Sequence, residues 1–240
     1  MKKMLNYVKQ KNLLILMSGL GLALLFSACK KDVDTPKTPA SGLMVFNLIP
    51  NHSAVGFMLS DRLITNVPLD YTSYSGNYIS VYTGNRNLGL YDVHGDSTIT
   101  EVTQQFEPDK YYSAFAVGAN GNYNTVIVDD HLDTIPDSTG QAFVRYINAI
   151  PDSSQPMVAI ASSGTNVVDE AASYKHVSGF EGITPGEITI VVSNGTNISA
   201  TRSITVEKGK VYTILLLGIP DATQDADKVQ IKFITNGSVS

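Results

Sequence analysis

From about residue 42 onward, apolar and polar residues alternate in short segments that Gly, Pro, Asn and Asp interrupt. The alternation over residues 78–82, 187–190 and 228–234 is typical of strands with one wet face. Two longer apolar runs, at 111–117 and 211–217, predict strands that lie centrally in a sheet. About seven short strands in each half, spaced by about eight to twelve residues, predict antiparallel β-sandwiches.

An internal duplication with a period of about 100 residues organises this pattern. Residues 106–118 align without a gap on residues 206–218, and residues 47–53 align on residues 148–154. Between them, three positions of the first copy match three of the second: Tyr78, Val81 and Gly84 match Phe180, Ile183 and Gly186. Each unit is large enough to own a core. We therefore expect two tandem sandwiches at 42–130 and 141–240, joined by a linker at 131–140, and at most one or two helical turns near 169–175.

The N-terminus has the layout of a secretory leader over residues 1–28. A basic start is followed by an apolar run at 13–26 and by the small residues Ser27 and Ala28, before the single cysteine, Cys29. The run is shorter than the 20 or so residues that cross a bilayer, so a retained membrane span is the weaker alternative. The segment resembles the lipobox of exported bacterial lipoproteins, which implies cleavage and thioether lipidation of Cys29.

Residues 29–41 then form a tether, in which Pro36 and Pro39 favour a semi-extended chain. The charged residues 30–34 resemble the tag of Bacteroidetes lipoproteins that reach the outer face of the outer membrane. A solvated spacer is the alternative for this segment. The expected location is the outer membrane, by a lipid anchor, with exposure at the cell surface.

Charge narrows the range of partners. Removal of residues 1–28 leaves 13 basic and 22 acidic residues, a net charge of −9. Such a chain is a poor match for nucleic acid or for an anionic lipid surface. With Cys29 used by the lipid, the exported part has no disulfide and depends on its cores for stability.

Three motifs in the second copy carry a family resemblance. They are the sequence Asn-Ala-Ile-Pro-Asp at 148–152, the spaced residues Tyr174, Phe180 and Pro185-Gly186, and the strand motif at 210–213. Together they resemble the domain-of-unknown-function 4397 family of secreted bacterial proteins and lipoproteins. The resemblance covers residues 140–237 well and residues 42–130 in a diverged form, where Asn51 replaces the aspartate. It implies Ig-like or transthyretin-like sandwiches and supplies no catalytic residues.

Motifs for catalysis and cofactors are not evident. The sequence contains no nucleophile elbow, phosphate-binding glycine loop or HExxH helix, and its four histidines lack metal-ligand spacing. We expect no enzyme and no cofactor. The sequence alone does not exclude a pair of carboxylates brought together from different strands, as glycosidases use. The alternative is therefore a glycan-handling enzyme or an accessory subunit of a polysaccharide-uptake system.

Weaker patterns concern metals and modification. His131 lies beside several aspartates of the linker, where a metal clip and a solvated acidic segment are alternatives. Asp221, Asp225 and Asp227 offer oxygen ligands for calcium, with a hydrated turn as the alternative. Three short segments resemble the O-glycosylation signal of exported Bacteroidetes proteins, and their candidate acceptors are Ser97, Thr134 and Ser138.

A tyrosine cluster gives the candidates for ligand contact. Tyr78 matches Phe180 and is expected in the core, whereas Tyr71, Tyr74 and Tyr82 are surface candidates. Exposed tyrosines stack on sugar rings or anchor protein partners, because they are amphipathic and lose little entropy on ordering. The sequence thus favours a non-catalytic, lipid-anchored surface protein that acts as a binding, adhesion or spacer module for protein or glycan.

Overall fold

The computed structural model describes residues 38–52, 54–136 and 140–239. The leader, Cys29 and most of the tether therefore lie outside the described residues, as does Ser138. No helix among the described residues is long and apolar enough to cross a membrane.

The first repeat folds into eight strands. They are β1 (Ala40–Asn47), β2 (Val55–Leu59), β3 (Arg62–Leu63), β4 (Ile79–Tyr82), β5 (Gly84–Asp92), β6 (Ser97–Phe106), β7 (Tyr111–Ala119) and β8 (Asn122–Asp129). One sheet has the order β4-β1-β7-β8, and the other has the order β3-β2-β5-β6. A single 3-10 turn, Leu132–Thr134, follows in the linker.

The second repeat has the same eight strands in the same order. They are β9 (Ala142–Asn148), β10 (Met157–Ser162), β11 (Thr165–Ala171), β12 (Glu181–Ile183), β13 (Gly186–Ser193), β14 (Ser199–Val206), β15 (Lys210–Leu217) and β16 (Gln230–Ser238). Its sheets are β12-β9-β15-β16 and β11-β10-β13-β14. A 3-10 turn, Asp225–Asp227, precedes β16. The duplication, the sandwich fold and the central place of β7 and β15 are confirmed.

One expectation is wrong in detail. The sandwiches are not purely antiparallel, because β1 pairs in parallel with β7, and β9 pairs in parallel with β15. An immunoglobulin sandwich places its first strand beside its second, whereas here the first strand lies between the fourth and the seventh. The order favours the transthyretin-like alternative. Residues 169–175, where at most one or two helical turns were expected, form none, because strand β11 continues to Ala171 in a ladder with β10.

The repeated Asn-x-Ile-Pro sequence is a structural motif. Asn47 is fully buried; its amide donates to the Leu69 carbonyl over 2.8 Å, and its Oδ1 accepts from the Ile49 amide over 3.1 Å. Asn148 makes the same pair of bonds to Ala172 and Ile150. Each asparagine ties the turn after the first strand to the loop before the fourth. The motif therefore secures loop geometry and carries no sign of ligand binding.

Each sandwich has its own core between its two sheets. Tyr112 and Tyr212 are both 4% exposed and occupy matching places in β7 and β15. Each hydroxyl accepts a hydrogen bond from a backbone amide five residues upstream, from Glu107 over 3.2 Å and from Glu207 over 3.0 Å. The predicted core role of the two tyrosines is confirmed. The resemblance to the tyrosine corner of other sandwiches is close, since a buried ring there also fixes a chain reversal.

A third hydrophobic cluster joins the two sandwiches. It lies between the sheets that contain β1 and β9, and its buried residues come from both repeats: Met44, Phe46, Leu48, Phe115, Val117, Ile147, Ala149, Leu215, Leu217 and Ile234. Strands β1, β7, β9 and β15 are therefore buried on both faces, which explains their continuous apolar runs. The described residues from Pro39 onward group as one compact unit.

Candidate functional site

A closed ring of hydrogen bonds crosses the contact between the sandwiches. Arg145 of β9 donates from Nη1 to Oδ1 of Asp130 over 2.7 Å and from Nε to Oγ1 of Thr213 over 3.0 Å. Thr213 donates to Asn236 over 2.6 Å, Asn236 donates to the Tyr78 hydroxyl over 3.3 Å, and Tyr78 donates to Asp130 over 2.5 Å. Burial and the Asp130 charge raise the pKa of Tyr78.

Further contacts satisfy the same ion pair. The Arg145 guanidinium donates to Oγ of Ser113 over 2.8 Å, and Ser113 donates to Asp130 over 2.8 Å. The Phe180 ring lies 4.4 Å from the guanidinium carbon. Both charged side chains are buried, at 2% and 0% exposure. The polar groups of this ring bond one another, so the ring positions the two sandwiches.

The two sandwiches point in the same direction. We define the entry end as the end where β1 and β9 begin. Near it lies the Arg145–Asp130 pair. At the opposite end, Lys232 of the second sandwich donates to Thr72 of the first over 2.8 Å, and the amide of Asn51 donates to the Asp227 carboxylate. Contacts at both ends fix the relative orientation of the sandwiches.

The candidate ligand site is a groove of about 290 Å³ at the entry end of the first sandwich, where the exposed side chain of Tyr111 lies. We call it the tyrosine groove; it is lined by Ala40, Ser41, Gly42, Tyr78, Ser80, Asp109, Lys110 and Tyr111. Tyr111 is 43% exposed, and its ring meets the Tyr78 ring edge to face at a centroid distance of 5.0 Å. Tyr82, 66% exposed, flanks the groove, since it pairs with Ala40 and alternation places it on the face of Ser80.

A glycine in strand β1 leaves the space in which the Tyr111 ring lies. Gly42 lies beside Tyr111 in the parallel ladder, and a methyl group built on Gly42 would come within 2.5 Å of Cδ1 of that ring. Only a residue without Cβ lets the ring lie against strand β1. The rim is polar, with the exposed Ser80 and Asp109 and with Lys110. Lys110 bonds Asp133 over 2.7 Å, which raises the pKa of Lys110 and lowers the pKa of Asp133.

The second sandwich has no such surface at the matching place. In the duplication, Gly42 corresponds to Phe143 and Tyr111 corresponds to Val211. Phe143 and Val211 are 4% and 2% exposed, and the linker residue Ile135 lines cavities beside both. The two copies share the tyrosine at 112 and 212, which packs in the cores, and differ one residue earlier. This difference marks Tyr111 as a residue that the fold itself does not require.

The structure does not bring the predicted contact residues together on one open face. Tyr71 and Tyr74 are half-buried and pack on the cluster between the sandwiches, where Tyr74 stacks on Phe46 at 5.6 Å. Burial, and then the nearby Asp227, raise the pKa of Tyr71. These two tyrosines are therefore corrected to packing residues, because the second sandwich covers the face on which they lie. Tyr82 is exposed and stays a candidate, and Tyr78 packs on the same cluster.

The remaining predicted sites are dispersed. Asp221 accepts from the Asn197 amide over 2.7 Å, Asp225 pairs with Lys228 over 2.7 Å, and Asp227 is buried near Asn51. Over the described part of the chain, no three His, Cys, Asp or Glu side chains form a group that could hold a metal ion. The His131 imidazole lies 3.6 Å from the Asp129 carboxylate. Two of the candidate glycan acceptors are exposed, Ser97 and Thr134.

Three features of the structure were not predicted. Arg145 stands in an otherwise apolar strand, and such a residue signals a buried partner. The linker residues Leu132 and Ile135 are half-buried. Tyr111 was interpreted as the start of a core strand. The signal for its exposure was the replacement of the Gly42–Tyr111 pair by Phe143 and Val211 in the second copy.

Comparison with protein families identifies the family of the chain. The model of the family described as Domain of unknown function (DUF4397) matches residues 41–155 and 142–238, and the chain belongs to this family. Comparison with curated proteins gives no match.

Solved structures give only distant likenesses. A family 41 carbohydrate-binding module from streptococcal virulence factors, described for α-glucan recognition, has a TM-score of 0.26 at 10% identity and covers 80% of this chain and 96% of its own. A family 26 module from Eubacterium rectale Amy13K, in complex with maltoheptaose, has a TM-score of 0.25 at 9% identity, with coverages of 84% and 98%. A protein from Bacteroides eggerthii, provisionally described as a cell adhesion protein, has a TM-score of 0.26 at 9% identity, with coverages of 82% and 96%. At these scores the likenesses carry no argument about the ligand.

Proposed function

We propose that this protein is a non-catalytic glycan-binding module, held at the outer membrane by a lipid on Cys29 and exposed at the cell surface. The tyrosine groove carries the proposal. A pyranose ring has an apolar C–H face and a hydroxyl rim, so it stacks on a tyrosine ring while nearby polar groups bond its edge. Tyr111 and Tyr82 supply aromatic surface, and Ser80, Asp109 and Lys110 supply the polar groups.

The fixed contact between the two sandwiches supports a binding role. The buried Arg145–Asp130 pair and the cluster between the sandwiches hold the two copies in one orientation. A preorganised surface loses little entropy when it binds. The second sandwich has no tyrosine groove of its own, because Phe143 fills the matching place, which is covered near Ile135.

The test of ligand binding uses the soluble chain from residue 38 onward on a glycan array, followed by calorimetry on the glycans retained. Tyr111→Ala and Gly42→Ala should each weaken binding by at least about tenfold, equivalent to about 1.4 kcal/mol. Gly42→Ala is the more specific variant, because it keeps every aromatic ring and displaces the Tyr111 ring from its place against strand β1. Tyr91→Ala, a tyrosine at the opposite end of the first sandwich, is the matched control. Binding that survives both groove variants would contradict the proposed site.

The test of anchoring is the variant Cys29→Ala. Loss of the lipid should release the protein or leave an unprocessed precursor. Detergent partitioning of cell fractions measures this. A variant that still fractionates with the outer membrane would refute lipid anchoring and would leave the groove proposal standing.

A further inference from the structure

The tyrosine groove meets a second groove at the same ring. This groove, of about 330 Å³, lies where the two sandwiches and the linker meet, and we call it the seam groove. It is lined by Tyr111, Leu132, Asp133, Ile135, Val211, Gly237, Ser238 and Val239. Tyr111 is the residue that both grooves share, so its exposed ring stands between them.

A second contact connects the two grooves. Lys110 lines the tyrosine groove, and its ammonium group bonds the carboxylate of Asp133, which lines the seam groove. The pair therefore forms a polar rim that runs along both grooves beside the Tyr111 ring. The seam groove repeats the chemistry of the first, with the half-buried apolar side chains of Leu132 and Ile135 and with polar groups at Asp133 and Ser238.

Resting on the proposed function, we infer that the ligand is a linear oligosaccharide that crosses Tyr111 and occupies both grooves, rather than a single terminal sugar. Two amphipathic grooves that share one aromatic ring match a chain of ring-shaped units, each with an apolar face and a polar edge. Residues of both sandwiches and of the linker then contribute to one site. The fixed orientation of the sandwiches becomes part of specificity, because a change in orientation would separate the grooves.

The experiment measures dissociation constants for ladders of two to eight residues of cello-, chito-, manno- and malto-oligosaccharides on the soluble chain. For a ladder that binds, affinity should rise by at least about tenfold between two and six residues, or about 1.4 kcal/mol. Ser238→Trp fills the seam groove from an exposed position and should abolish this gain, so that the hexasaccharide binds the variant no more tightly than the disaccharide does. Ser97→Trp, at an exposed strand start at the opposite end, is the control, and melting curves confirm folding of both variants.

The outcomes separate the two proposals. Equal affinity at every length, with no effect of Ser238→Trp, would overturn the two-groove inference and leave a single-ring site at the tyrosine groove. Equal loss of disaccharide and hexasaccharide affinity in Ser238→Trp would also overturn the inference, because the disaccharide would then also bind in the seam groove. An absence of binding by every ladder, together with an empty glycan array, would refute the proposed function itself.

Discussion

Arg145 of the second sandwich and Asp130 of the first form a buried ion pair, with Nη1 and Oδ1 separated by 2.7 Å. In the duplication the position of Arg145 is held by Met44 in the first sandwich, where an apolar side chain packs in the joint cluster. The charge thus occurs in one copy only.

Removal of one member of this pair should destabilise the protein strongly. Arg145→Met leaves the Asp130 carboxylate buried without its cation, at a cost of about 3–5 kcal/mol. The double variant Arg145→Met/Asp130→Asn removes both charges and should recover most of that loss. Urea unfolding of the three proteins measures the difference. A single variant as stable as the wild type would mean that water reaches the pair.

Each isolated sandwich should fold by itself, since each owns a core between its sheets. The halves 38–130 and 140–240 should unfold cooperatively but at lower temperatures than the whole chain, because each exposes its part of the joint cluster. Mixed halves should associate. The second half should be the more stable, given its larger core. Calorimetry decides the matter, and a molten signal from either half would show that the joint cluster is required for folding.

Tyr212 should contribute to the free energy of unfolding through its buried ring more than through its hydroxyl. Tyr212→Phe loses one hydrogen bond from the Glu207 amide and should cost at most about 1.5 kcal/mol. Tyr212→Ala opens a core cavity and should cost about 3–5 kcal/mol. In the first copy, Tyr112→Ala should behave alike, whereas Tyr111→Ala, one residue earlier and exposed, should cost less than about 1 kcal/mol. Equal losses at 111 and 112 would show that the faces of β7 are wrongly assigned.

Tyr174 should make the protein sensitive to alkaline pH. Burial raises the pKa of Tyr174 from 10.0 to about 12. Between these values the unfolded chain releases the proton while the folded protein keeps it, so the free energy of unfolding falls as pH rises from 10 to 12. Tyr174→Phe should lose less stability over that interval. Unfolding titrations at pH 8, 10 and 11 measure it, and an unchanged pH dependence would contradict the assignment.

At neutral pH, Tyr146→Phe is the matched control for Tyr174→Phe. Among the described residues, the buried Tyr174 hydroxyl finds no hydrogen-bond partner, so its removal should be neutral or stabilise by up to about 1 kcal/mol. The Tyr146 hydroxyl donates to Glu170 over 2.8 Å, and Tyr146→Phe should destabilise by about 1 kcal/mol. Opposite signs for the two variants would support the difference in hydrogen bonding.

Local pattern was enough for much of the fold. Alternation, turn residues and the repeat predicted the strands around 78–82, 111–117 and 211–217, and the duplicated set confirmed the tandem sandwiches. The parallel pairing of β1 with β7 was not predictable, because strand neighbours depend on contacts distant in sequence. Residues 169–171 show the same dependence. Their sequence left a short helical turn open, and pairing with β10 decides their extended conformation.

The candidate site was less accessible to sequence analysis. An aromatic residue on a strand can face a core, a neighbouring domain or solvent, and alternation does not distinguish the last two. Tyr74 and Tyr82 illustrate the limit, since one meets Phe46 at the joint and the other is exposed. Which tyrosines are covered follows from the face-to-face contact of the sandwiches. That contact rests on the hydrophobic cluster between the sandwiches and on the Arg145–Asp130 pair.

The parallel pairing at the entry end has a mechanical consequence. The chain enters the fold at Ala40, whose carbonyl accepts from the Asp109 amide over 2.9 Å, and Gly42 donates to the Lys110 carbonyl over 2.9 Å. Ala40, Asp109 and Lys110 all line the tyrosine groove. A pull between a tethered N-terminus and a molecule held at Tyr111 would pass across these two main-chain bonds at one corner. Both sandwich cores would stay outside the line of force, so tension on the tether need not unfold the domains that it holds.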